Sequence, residues 1–162
     1  MIIFTDASFS KQTKTAGFGF VIVDKQFDFK AGNYSFECKD NNMAELQCIE
    51  EAVKYCLKFN LFKATKDKTL TIISDSKFAV DRILGHTKCQ DSKEQKLQSN
   101  INYMLSQCPL KTTIFQIKGH QKGKDKFSYY NEVADCIASD YRYLGEIELE
   151  KQKLNNKING GR

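Results

Sequence analysis

The chain has 162 residues, of which 41% are hydrophobic and 12% aromatic, with a single proline and nine glycines. That is the composition of one ordinary globular domain, and it excludes a disordered or low-complexity chain. Lys and Arg number 25 against 20 Asp and Glu, a net charge of +5 that suits a polyanionic partner without requiring one.

Residues 1–7 (MIIFTDA) read as a short strand with Asp6 at its end. A stretch rich in Lys and Thr follows. The run 16–24 (AGFGFVIVD) is a second strand, and 24–26 a turn. Residues 27–37 alternate apolar and polar side chains, as a third strand should. Three strands joined by short links imply an antiparallel meander.

From Asn41 the period changes. Leu46, Ile49, Val53, Cys56 and Leu57 share one helical face, and Glu50, Glu51, Lys54 and Lys58 fall outside it. Residues 69–74 (TLTIIS) form a fourth strand, 77–84 a short helix, and 95–107 another helix. A fifth strand is expected over 112–118. A loop containing several lysines then leads to a helix from about 131 to 144.

The order is β-β-β-α-β-α-α-β-α. A meander followed by alternating elements predicts an α/β fold with a mixed five-stranded sheet, strands 4 and 5 parallel, and helices on both faces. No internal repeat or boundary interrupts residues 1–144, which read as one domain. The tail 145–162 is polar and rich in Lys and Asn. In it Leu144, Ile147, Lys151, Leu154 and Ile158 make a thin apolar stripe at helical spacing, a candidate surface for a protein partner. The default expectation is a monomer.

The six cysteines, at 38, 48, 56, 89, 108 and 136, show no CxxC spacing. They read as reduced thiols used as small apolar side chains, with no disulfide framework or zinc site. The opening MIIFTDASFS turns polar too soon for a signal peptide, and no apolar run nears the ~18 residues of a membrane span. The expected setting is intracellular, with no membrane contact.

Four acids stand out by position. Asp6 and Asp75 each follow an apolar strand run, at the sheet edge where such folds place their sites. Glu45 lies one turn before Ile49 and borders the helix face that packs on the sheet. Asp135 lies early in the last predicted helix, beside Ala134 and Ala138. Singly, each also fits a turn residue, a helix cap or a partner for the helix dipole. If they converge, their charges raise one another's pKa unless a cation offsets them. Oxygen ligands suit two Mg²⁺, or Mn²⁺, rather than zinc. Two such ions activate a water and stabilise the leaving oxygen of a phosphodiester.

Four segments in the right order resemble type 1 ribonuclease H: FTDAS with AGFGFVI, NNMAEL, IISDSKFAV, and KGH followed by NEVAD. The match covers about residues 1–144. The resemblance implies an endonuclease that cuts the RNA strand of RNA–DNA hybrids, with Asp6, Glu45, Asp75 and Asp135 as metal ligands. It implies that His120 lies on a loop near the metals and assists proton transfer or product release. It further implies that Asn41 and Asn42 contact the hybrid and read the 2′-hydroxyl. Either asparagine also suits a helix cap. Ser76 and Asn131 are weaker candidates for substrate contacts. The family's basic, Trp-containing substrate handle has no full counterpart, since the chain has no Trp. Lys88, Lys93 and Lys96 offer a reduced version or are ordinary solvated surface. The competing reading is a catalytically silent domain of the same fold, serving as a nucleic-acid-binding or structural subunit.

Overall fold

The computed structural model describes residues 1–118 and 126–159. Its elements are β1 (Ile2–Phe9), β2 (Ala16–Val23), β3 (Asp28–Ser35), α1 (Asn41–Lys58), α2 (Leu61–Ala64), β4 (Thr69–Ser74), α3 (Lys77–Ile83), α4 (Ser92–Ser106), β5 (Lys111–Gln116) and α5 (Lys126–Asn159). The five strands form one sheet in the order β3-β2-β1-β4-β5. β1 runs antiparallel to β2 and parallel to β4. The outer pairs are β2–β3, antiparallel, and β4–β5, parallel. The expected meander and parallel pair are both present.

Alternation along the strands builds two cores. Ile3, Phe18, Phe20, Ile22 and Ile72 point to one face, where α1, α3 and α4 bury Leu46, Ile49, Val80 and Ile101 against them. Phe4, Val21 and Ile73 point to the other, under Ala134 of α5. Glycine makes the second contact close. A Cβ on Gly19 would lie 2.0 Å from the Ala134 carbonyl oxygen, so the α5 backbone rests directly on β2.

Local chemistry sets the boundaries. Asp24 accepts the Gln26 amide at 3.1 Å and closes the β2–β3 turn. Asp40 caps α1 through the Met43 amide at 2.9 Å, and Asn60, left-handed at φ 54°, ends it and starts α2. The cap of α1 is therefore Asp40, and neither Asn41 nor Asn42. Asp91 accepts the amides of Lys93 and Glu94, which starts α4 three residues before the 95 expected from periodicity. α5 starts at Lys126 rather than near 131, because Phe127 and Tyr130, two turns and one turn before Ala134, stack on Phe4. It then runs on to Asn159.

Glu50 is a second correction. Periodicity placed it on the solvent face of α1, but α4 covers it. It is buried, and its carboxylate takes bonds from Lys54 at 2.7 Å and Asn100 at 3.2 Å. All six cysteines are free thiols, as expected. Among the described residues no helix is long and apolar enough to cross a membrane.

A buried ion pair joins α3 to α4. Arg82 and Glu94 are both buried, with Nε 3.0 Å from Oε2, and Glu94 also accepts the Gln90 amide at 2.8 Å. Removing one partner strands the other's charge in the core. Glu94→Ala is therefore expected to cost about 3–5 kcal/mol, read as a lower urea midpoint at unchanged slope. A loss under about 1 kcal/mol would mean the pair is effectively solvated.

Candidate metal centre

Asp6 is not at the end of its strand. β1 continues to Phe9 against β2, but β4 is shorter, and the last β1–β4 rung is Thr5–Ser74. Asp6 is thus the first residue of β1 beyond the end of β4, and Asp75 the first residue after β4. The two carboxylates reach the same level at the sheet edge. Asp6 shares the α5 face of β1 with Phe4, and opposite it stands Gly19. Because Gly19 lets α5 approach so closely, Asp135, next to Ala134, comes to the same place. α1 enters from the other side and carries Glu45 in its second turn.

One carboxylate oxygen each from Asp6, Glu45 and Asp75 lies within 4.8 Å of the others. Asp135 is outside that trio but lines the same open depression, with Ala7, Asn41 and Ser76. Burial first, then the charges of Asp75 and Asp135, push the Asp6 carboxyl up to about 8. The Ala7 amide, 2.8 Å from Asp6 Oδ1, opposes the shift. Burial, then the charges of Asp6 and Asp75, push Glu45 up to about 9. Glu45 Oε2 is buried with no hydrogen-bond partner among the described residues.

An isolated buried carboxylate oxygen is costly, and three acids in one place repel each other. Both problems disappear with a divalent cation. The three oxygens of the trio stand close enough together to converge on one cation. The all-oxygen donor set suits a hard divalent cation such as Mg²⁺ or Mn²⁺.

The other residues singled out in the sequence divide. Asn41, the first residue of α1, and Ser76, whose hydroxyl accepts the Ala79 amide and caps α3, both line the depression. Asn42 is exposed at the start of α1 and is not among its lining residues. Asn131 is buried one turn before Asp135, its Oδ1 without a hydrogen-bond partner among the described residues. His120 lies outside the described residues.

Two contacts went unread in the sequence. The Cys48 thiol donates to the carbonyls of Asp6, at 3.1 Å, and Gly19, at 3.4 Å. Cys48 follows Glu45 by three positions, so helical spacing carried that signal. Gln116 Nε2 donates to the Asp75 carbonyl at 3.3 Å and ties the end of β5 to the loop after β4.

The raised carboxyls make a stability prediction. Between their ordinary range near 4 and the raised values of about 8 and 9, the folded state holds protons that the unfolded chain has released. Stability without metal therefore falls as pH rises through that window. In EDTA, Tm is expected to drop by roughly 10 °C from pH 5 to pH 9, and millimolar Mg²⁺ to restore most of it at the alkaline end. A flat EDTA profile would show that the acids are not buried together.

The chain matches the RNase H family over residues 1–142. No curated protein matches it. Among solved structures, RNase H1 from the halophilic archaeon Halobacterium salinarum superimposes with a TM-score of 0.67 at 16% identity, over 86% of this chain and 95% of that one. The N-terminal RNase H domain of a Mycobacterium tuberculosis protein gives 0.67 at 18%, over 91% and 96%. LC11-RNase H1, solved in complex with an RNA/DNA hybrid, gives 0.66 at 19%, over 86% and 96%. The structural likenesses establish the shared fold, and the family match over residues 1–142 assigns this chain to the RNase H family.

Proposed function

We propose that the protein hydrolyses the RNA strand of RNA–DNA hybrids, with Asp6, Glu45, Asp75 and Asp135 holding two Mg²⁺ ions, a role Mn²⁺ can also fill. The observation that carries this reading is the trio of convergent carboxylates, two of them buried and strongly shifted, with Asp135 on the same depression. The hybrid complex of the similar LC11 enzyme supports the choice of substrate. Bound metals supply a nucleophilic water and charge stabilisation at the phosphodiester.

The chain's own groups do the rest. Asp6 and Glu45, ionised only when their protons are displaced, orient and neutralise the cations at the base of the depression. Asp75 and Asp135 complete the acidic wall at its rim. Asn41 and Ser76 stand at the same opening, and Asn42 beside Asn41 on the first turn of α1, as groups that hydrogen-bond the substrate strand. Asn131 supports Asp135 or reaches the substrate from α5. His120 exchanges protons with the reacting oxygens or assists release. The catalytic unit in this reading is residues 1–144, with 145–162 extending beyond it.

The test is cleavage of an end-labelled RNA–DNA hybrid with Mg²⁺, beside duplex RNA, duplex DNA and an EDTA control. Hybrid-only cutting of the RNA strand, stopped by EDTA, is the expected result. Cutting of another duplex would keep the metal site and change the substrate. A folded sample inert with every divalent ion would favour a silent nucleic-acid-binding domain.

A further inference from the structure

α5 is longer than the sheet it covers. Gly145 packs against Thr15 and Tyr34, and Glu146 accepts the Thr13 hydroxyl at 3.1 Å, which holds the helix over the β1–β2 connection. Beyond that point every residue from Lys151 to Ile158 is exposed. Ala134, Ala138 and Gly145 mark the buried side of the helix. Steps of about 100° per residue then carry Cys136, Leu144, Ile147, Leu154 and Ile158 round to the opposite side, with Val133, half-buried against the second core, at its edge. Leu144, Leu154 and Ile158 are 50%, 60% and 65% exposed. From Asp140 through Leu144, Ile147, Lys151 and Leu154 to Ile158 the spacing alternates between four and three, the repeat of a helix-pairing seam. Two charged residues interrupt it, Asp140 and Lys151, both exposed.

We propose that this face docks a second copy of the chain, as an antiparallel helix pair centred between Leu144 and Ile147. In that register Leu144 meets Ile147 of the second copy, and Ile158 of the second copy covers the half-buried edge of Val133. Asp140 meets Lys151 of the second copy, and the two-fold axis makes the same pair twice. A parallel pair would instead set Asp140 against Asp140 and Lys151 against Lys151. The seam charges therefore select both the second copy as occupant and its direction. From Asp140 to Ile158 the seam is about 27 Å long, more than two heptads. Asp135 projects roughly 140° away from the seam round the helix, so the metal centre stays open in the pair.

The experiment is sedimentation equilibrium of the full chain from about 1 to 200 µM, with dissociation expected in the micromolar range. Asp140→Lys alone and Lys151→Asp alone put like charges across the seam, and each is expected to weaken association at least roughly tenfold. Their equimolar mixture restores both opposite-charge pairs and is expected to recover the wild-type dimer. Far-UV circular dichroism of each variant checks that it is folded. Wild type monomeric over the whole range overturns the proposal and upholds the monomer. A dimer indifferent to both substitutions overturns it too, by placing the interface elsewhere.

Discussion

Asp75→Asn is expected to abolish hybrid cleavage while leaving the fold intact. The substitution keeps the shape of the side chain, which stands at the rim of the sheet just past β4 and is only partly buried. No core contact is lost. What is lost is one anionic oxygen of the three that lie within 4.8 Å of one another. With an amide there, the remaining carboxylates cannot fully neutralise the cations, and kcat is expected to fall by about 10³ or more, some 4 kcal/mol of barrier. Stability gives an independent reading of opposite sign. The Asp75 charge is the largest charge effect raising Asp6, and it also raises Glu45. Removing it lowers the cost of ionising both, so in EDTA at pH 8 the variant should melt above wild type. A variant with full activity removes Asp75 from the metal set. An inactive variant that melts lower in EDTA would mean that Asp75 braces the fold instead.

The sheet and its cores were legible because alternation and helical periodicity are local signals. Phe18, Phe20 and Ile22 against Gly17, Gly19 and Val21 already separate two faces before any partner is known. The boundaries were less legible because they depend on neighbours. Asp6 looked terminal, yet the strand that ends is β4, and only the pairing reveals it. Glu45 and Glu50 show the same limit more sharply. Both are glutamates on α1, and both are buried. Glu50 is satisfied by Lys54 and by Asn100, an α4 residue fifty positions away, which no helical wheel foresees. Glu45 keeps an oxygen without a hydrogen-bond partner among the described residues. That difference, invisible in residue type, separates a structural acid from a candidate ligand. Asp135 was recognised from its motif, but what brings it to the others is the absence of a side chain at Gly19.

That dependence makes Gly19→Ala the substitution expected to do the most damage per atom added. The new methyl carbon would sit 2.0 Å from the Ala134 carbonyl oxygen and 2.5 Å from the Ala138 amide nitrogen, where contact requires more than 3 Å. Both neighbours are helix backbone, and neither can rotate aside. β2 is held on both edges by β1 and β3, so the relief must come from α5 lifting off the sheet. Lifting it opens the core at Phe4, Val21 and Ala134, and the expected loss is about 3 kcal/mol or more. It also carries Asp135 away from Asp6, so protein that still folds should have lost most of its hybrid cleavage. Gly85→Ala is the comparison. Gly85 has a φ of 74° and nothing within 4 Å of an added Cβ, so only backbone strain of about 1 kcal/mol is expected and cleavage should persist. Urea midpoints and cleavage rates of the two variants, side by side, separate steric displacement of α5 from the loss of glycine itself. Were Gly19→Ala as stable and as active as Gly85→Ala, α5 could not rest on β2 as it does here, and Asp135 would lose its claim to the metal centre.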